Sequence, residues 1–292
     1  MQLLTYRYRD HTGPGLLHGQ VVIPLDPSHG WHGSLLELVA AGPDSWKKVS
    51  EFSRSPAAAA DGLPARDIEW LAPIPRPGKN IMCLGWNYSE HVSESAAVSG
   101  RQAEPPKDPV VFTKNVTSVT GPYADIPAHA GVTAELDWEV ELGVVIGVGG
   151  RAIAREQALE HVFGYTVIND ISARDLQFRH KQFFIGKSLD GACPMGPVIV
   201  TRDEIADPQD LALKSWVNGT LKQDSSTRHM IFDVATIIST LSRGMTLEPG
   251  DIIATGTPSG VGFARKPPEF LKPGDVVECE VEGIGRLRNR LV

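Results

Sequence analysis

Asp137-Trp138-Glu139-Val140-Glu141-Leu142-Gly143-Val144-Val145-Ile146 alternates like a β-strand, whose successive side chains face opposite ways. Trp138, Val140, Leu142 and Val144 then share one face, and Asp137, Glu139 and Glu141 share the other. Neighbouring carboxylates on that face lie roughly 7 Å apart. Two bare anions at that spacing repel by about 2 kcal/mol at an effective dielectric of roughly 20. An edge strand wetted on one side tolerates this; beside an apolar core it asks for a cation between the oxygens. Ligation by oxygen alone selects a hard ion (Mg²⁺, with Mn²⁺ or Ca²⁺ as substitutes) over zinc.

Working outward, Gly164-Tyr165-Thr166-Val167-Ile168-Asn169-Asp170 is an apolar run that delivers Asp170 where a strand gives way to a turn. Asp170 can therefore complete a three-carboxylate metal site with Glu139 and Glu141. Arg174 and Gln177, three positions apart, share a face if a short helix starts here. They offer a guanidinium fork and an amide to a carboxylate and a carbonyl; Arg174 could equally pair with Asp170 or Asp175. Gly186-Lys187-Ser188 adds a cation after the aromatic loop Gln182-Phe183-Phe184. Upstream, His91 and Glu94 fall side by side on one helical turn, the pairing that orients an imidazole and raises its basicity. Downstream, Gly256-Thr257-Pro258 follows a short strand and can bring backbone N–H groups and the Thr257 hydroxyl to an anion.

Taken in order, Asn87-Tyr88-x-x-His91-x-x-Glu94, Phe112-x-Lys114, the Asp137 strand, Asn169-Asp170-x-Ser172-Ala173-Arg174-Asp175-x-Gln177, Gly186-Lys187-Ser188 and Gly256-Thr257-Pro258 resemble the fumarylacetoacetate hydrolase family. The bacterial type with a short N-terminal domain is the nearer match, over roughly residues 79 to 291. The resemblance implies metal ligands Glu139, Glu141 and Asp170, a general base pair His91 and Glu94, and a substrate-contacting Lys187. It also implies a homodimer; Arg174, Gln177, Lys114 and Thr257 are read from the residues themselves as further substrate contacts. The fold it implies is α+β: a mixed β-sandwich roll at 73–292 behind a small N-terminal α/β domain and connector at 1–72.

Composition agrees. The 292 residues are 41% hydrophobic and 22% charged, as in globular chains that bury a large core. The net charge of −7, with no basic block, argues against nucleic acid. No apolar run approaches the ~20 residues of a membrane span, and Met1 to Arg9 lacks a signal-peptide core, so a cytoplasmic protein is expected. Cys83, Cys193 and Cys279 are odd in number and far apart, which suits reduced thiols. Short strands dominate after Pro73-Ile74-Pro75-Arg76-Pro77, and two helices are expected, Ala154 to Val162 and Phe232 to Ser242. Ser53 to Arg66 has the look of a connector, and Ser95 to Lys107 that of either a lid or a plain loop.

One rival reading is excluded. Gly147-Val148-Gly149-Gly150-Arg151-Ala152 fits a dinucleotide fingerprint, yet a Rossmann strand is apolar on both faces and Glu139 and Glu141 are not. No G-x-S-x-G or H-E-x-x-H occurs. The expected activity is metal-assisted hydrolysis of a C–C bond in an acylpyruvate or 2,4-diketo acid. The alternative is decarboxylation or isomerisation of a 2-keto dicarboxylic acid at the same site.

Overall fold

The expected strand forms as the ladder Val140–Ile146, buried along its whole length. It begins three residues after Asp137, where the alternation starts, because side chains take over the ladder's role. Glu139 N–H donates to Asn169 Oδ1 at 3.0 Å and Val140 N–H to Gln223 Oε1 at 3.1 Å. Just before this break, Leu136–Asp137 pairs with Ser172–Ala173 in a separate two-stranded sheet.

The computed structural model describes residues 1–27, 31, 33–54, 62–99 and 104–292. The heart of the expected connector, 55–61, and the middle of the expected lid, 100–103, lie outside them. The protein is mixed α+β, mostly sheet. Ten strands of a twelve-stranded sheet run from Leu63–Pro64 through Val21–Pro24, His11–His18, Gln2–Tyr8, Cys193–Thr201, Val162–Asn169, Val140–Ile146, Ile252–Ala254 and Ile81–Gly85 to Val110–Lys114, and the other two, Glu69–Leu71 and Val119–Thr120, pair with Gln2–Tyr8 and Cys193–Thr201. Gln2 stands opposite Val200, so the first strand enters the same sheet as the later ones. A four-stranded antiparallel sheet, in the order Thr220–Ser226, Ala212–Val217, Val276–Val281 and Gly285–Arg290, covers the middle of one face.

Alternation decides which layer each side chain enters. Val140, Leu142 and Val144 join Leu213, Val277 and Leu287 in the core between the sheets. Val145 faces the other way, into a second core with Leu35, Leu38 and Val39. The latter belong to the helix Leu35–Ala40, held by a Ser34–Glu37 capping box. The helix Val234–Ser242 starts at Asp233, whose carboxylate accepts Thr236 N–H at 2.7 Å, and buries Val234, Ile237, Ile238 and Leu241 as its stripe predicts.

One expected helix and two strands depart from what the local pattern suggests, for identifiable reasons. Arg155–His161 is a 3₁₀ helix that buries only Ala158, so it lacks the stripe that would hold an α-helix. Cys193–Thr201 is a nine-residue central strand although Pro194, Gly196 and Pro197 punctuate it. A register shift between Tyr165 and Val167 on the neighbouring strand accommodates that irregular stretch. Thr220–Ser226 is a polar edge strand with little intrinsic β signal.

Candidate active site

Strand register assembles the acidic group. Val140 stands opposite Asn169 and Glu141 opposite Ile168. Asp170, one residue past the ladder, therefore comes level with Glu139, and its N–H donates to Glu139 C=O at 2.9 Å. One carboxylate oxygen from each of Glu139, Glu141 and Asp170 lies within 4.8 Å of the others, and all three residues are buried.

Cations wedge between them. Lys187 Nζ donates to Glu139 Oε2 and Asp170 Oδ2, both at 2.7 Å. It arrives on the single turn Phe184–Lys187, which can pack here only because Gly186 has no side chain: a Cβ would lie 2.5 Å from Gln177 N. Lys114, fully buried behind Asp170, donates to its Oδ1 at 2.7 Å and to Ile171 C=O at 3.0 Å. Arg174 Nε donates to Asp137 Oδ2 at 2.9 Å, and Nη1 donates to Gln177 Oε1 at 3.0 Å. Its Nη2 closes to 2.6 Å of Glu139 Oε1, an ion pair without hydrogen-bond alignment.

These neighbours split the two glutamates of one strand. Burial pushes the Glu139 carboxyl up, but Lys187 and Arg174 outweigh it and hold the group well below the usual carboxylate range. Glu141 moves the other way, raised first by burial and then by Asp170 and Glu139. Its Oε2 accepts one hydrogen bond, from Gly256 N–H at 2.8 Å, and among the described residues no ion pair reaches it. Gly256 makes that approach at φ +98°, where a Cβ would meet Asn87 at 2.8 Å. For Lys187, burial works against the ammonium, but Asp170 and Glu139 hold it charged.

Four buried carboxylates (Asp137, Glu139, Glu141, Asp170) thus face three buried cations (Lys114, Arg174, Lys187). One negative charge is left over, and Glu141 is its natural seat. A buried carboxylate without a cation is costly. Three converging carboxylates with one charge unmatched fit a hard divalent ion, so the donor chemistry agrees with the expected metal site.

A cavity of about 830 Å³ opens over this floor and is lined by His91, Glu139, Arg174, Gln177, Lys187 and Thr257 among others. His91 sits in the first turn of the helix Ser89–Ser99, its Nδ1 3.3 Å from Glu94 Oε2. Gly260 N–H pins that same carboxylate at 3.0 and 3.2 Å. With Nδ1 engaged, Nε2 is the nitrogen left for the cavity. The Thr257 hydroxyl is committed elsewhere, donating to Val140 C=O and accepting from Gln223 Nε2. Arg174 fixes the Gln177 amide so that its carbonyl is used and its NH₂ remains.

Asp137, which the alternation sets on the acidic face, supports the site from below. It is fully buried and accepts N–H groups from Trp138, Gly262 and Phe263 as well as Arg174. The alternation that put it on the acidic face was the available signal. Phe263 had no local signal: its ring lies 4.5 Å from Arg174 Cζ and meets His91 edge-on at 6.5 Å. Of the expected lid, Ser95 and Ala96 lie in the His91 helix, and Glu104 and Pro106 line the cavity.

Residues 80–292 match the model of the fumarylacetoacetate (FAA) hydrolase C-terminal family. The chain is 48% identical over 265 residues to oxaloacetate tautomerase YisK of Bacillus subtilis (strain 168), covering 89% of this chain and 86% of that protein. Among solved structures, fumarylacetoacetate hydrolase from psychrophilic Exiguobacterium antarcticum superposes with a TM-score of 0.86 at 42% identity, covering 100% and 99% of the two chains. Maleylpyruvate hydrolase from Sphingobium sp. SYK-6, in complex with manganese (II) ion and pyruvate, matches with a TM-score of 0.80 at 28% identity, covering 100% and 99%.

Proposed function

The chain belongs to the fumarylacetoacetate hydrolase family, and from that premise we propose that it is a divalent-metal-dependent tautomerase of 2-keto dicarboxylic acids of the oxaloacetate type. The observation that carries this reading is one carboxylate-oriented imidazole set in the same apolar-walled cavity as the acidic triad. Keto–enol exchange needs one positioned proton carrier, and His91 is the titratable imidazole among the residues lining the cavity. The name of the Bacillus subtilis relative supports tautomerisation over hydrolysis.

A divalent cation held by Glu139, Glu141 and Asp170 would supply a Lewis acid for the keto oxygen and adjacent carboxylate of the substrate. His91 Nε2 takes the proton from the carbon beside the carbonyl and delivers it to the enol oxygen; the reverse transfer restores the ketone. Glu94 keeps Nδ1–H directed inward and stabilises the imidazolium between the two transfers. Lys187 holds Glu139 and Asp170 in position and stands over the Phe112 ring at 4.9 Å. Gln177 offers its NH₂ to the substrate carboxylate. Phe263, packed against His91 and Phe178, limits water near the reacting carbon.

C–C bond hydrolysis is the second reading, supported by the maleylpyruvate hydrolase likeness; His91 would then activate water. Enol absorbance followed with the Mg²⁺- or Mn²⁺-loaded protein and enol oxaloacetate should decay faster than in buffer, with no ¹⁸O from solvent entering a second acid and no CO₂ above background. Incorporation of ¹⁸O would transfer the assignment to hydrolysis, and CO₂ release to decarboxylation.

A further inference from the structure

Among the described residues, three cations line the cavity, and two of them are already spent on protein carboxylates. Arg174 meets Asp137 and Glu139, and Lys187 meets Glu139 and Asp170. The third is Lys181, which takes no part in the ion pairs of the floor. It follows Gln177 by four residues, about one helical turn. Gln177 is buried and Lys181 exposed, so the two donors stand at successive depths of one wall.

The backbone marks Lys181 as well. The helix Arg174–Arg179 ends at His180, whose N–H donates to Leu176 C=O at 3.2 Å. Lys181 comes next and takes φ +58°. Gln182 N–H returns to His180 C=O at 2.5 Å, so the chain turns on Lys181 itself. Glycine is the usual residue just past a helix end in this conformation, because a left-handed backbone crowds a Cβ. Here the chain keeps a long cation instead, at a cost in backbone strain. Strain of this kind gathers where a side chain must be presented to a ligand.

The substrate supplies a matching charge. A 2-keto dicarboxylic acid held at the floor by one carboxylate and its keto oxygen carries the second carboxylate toward the mouth. That end of the wall holds Phe178, Phe263 and the like-charged Glu104, none of which answers an anion. A carboxylate that loses water there needs a cation in return. An ammonium on the wall provides it through a charge-assisted hydrogen bond.

We propose that Lys181 is a specificity-determining residue that takes the distal carboxylate of the substrate, selecting dicarboxylic over monocarboxylic 2-keto acids. This rests on the tautomerase reading for the head group and assigns the residue that reads the other end. Gln177 and Lys181 then hold the two ends of the acid while His91 moves the proton between them.

Isothermal titration of the Mn²⁺-loaded protein with malate and with 2-hydroxybutyrate tests this without turnover. Both present a carboxylate and an adjacent oxygen to the floor, both have four carbons, and neither has a keto group to tautomerise. They differ at the far end, a carboxylate in one and a methyl in the other. Malate should bind about tenfold more tightly, as a charge-assisted hydrogen bond requires. Lys181→Met should bring the ratio toward one, and Lys181→Arg should keep most of it. Lys181→Gly should lose the ratio while its Tm does not fall, since glycine relieves the left-handed turn; this separates lost recognition from lost folding. Glu104→Gln should leave the ratio intact or raise it. Equal affinities in the parent, or a ratio unmoved in Lys181→Met, would overturn the proposal. Absence of catalysed enol decay would strike the tautomerase reading alone, because the affinity ratio is read independently.

Discussion

The floor and the mouth of the cavity reverse the usual placement of residues. At the floor, seven charged side chains (Asp137, Glu139, Glu141, Asp170, Lys114, Arg174 and Lys187) are all buried. At the mouth, Trp86 and Phe178 stand substantially in solvent. Burying charge is tolerable only where every ion has partners, so the floor is rigid and intolerant of change. Exposed rings are tolerable one by one but cost nothing to remove, so the mouth is free to vary. Chemistry therefore belongs to the floor and discrimination to the mouth.

That contrast can be broken most decisively at Glu141. Glu141→Ala removes the carboxylate that lacks a cation, so Mn²⁺ binding seen by titration should vanish and turnover should fall to background. In the parent, Mn²⁺ at a hundred times its dissociation constant should stabilise the fold by about 2.7 kcal/mol, and this gain should disappear in the variant. Retained metal affinity would separate the charge surplus from the metal site.

His91→Ala should lower kcat by roughly 10²- to 10⁴-fold while Mn²⁺ affinity stays within error. Unchanged turnover would remove His91 from the chemistry. Asp137→Ala should cost about 3–5 kcal/mol in denaturant unfolding, because it takes from the buried Arg174 one of its two carboxylate partners and frees the N–H groups of Gly262 and Phe263. Phe178→Ala, at the mouth, should change stability by no more than about 0.5 kcal/mol. Comparable losses at the two positions would erase the distinction between floor and mouth.

A modest effect far from the cavity calibrates the others. Asp233→Ala should cost about 1 kcal/mol by uncapping Val234–Ser242. Thr236 and Arg155 outweigh burial and hold the Asp233 carboxyl below its ordinary value. Its stabilisation is therefore present above the unfolded-state pKa and fades as pH falls through the folded one. The gap between parent and Asp233→Ala should accordingly narrow in acid.

How much was legible depends on range. Val140, Leu142 and Val144 announced the strand and its core face because a two-residue period is local. His91 and Glu94 announced their pairing because one helical turn is local too. The triad was readable because Asp170 ends the strand that lies beside Val140–Ile146. Cys193–Thr201 is hard to read as one strand because Pro194 and Pro197 interrupt its pattern, and only a bulged neighbour shows how a strand passes through them. Lys114, expected to touch substrate, lies instead behind Asp170, a distinction of a few ångströms that no spacing encodes.

The amino-acid order by itself determined the alternation, the acidic face, the imidazole–carboxylate turn and the family to which they belong, since each is written within one strand or one helical turn. Only the tertiary structure decided which cation answers which carboxylate, that Glu141 is left without one, and that Phe263, Phe112 and Trp86 converge around the cavity from distant segments. The reason is physical. Local geometry follows from neighbouring backbone dihedrals, whereas the partner of a buried charge is chosen by whatever the completed core brings within a few ångströms.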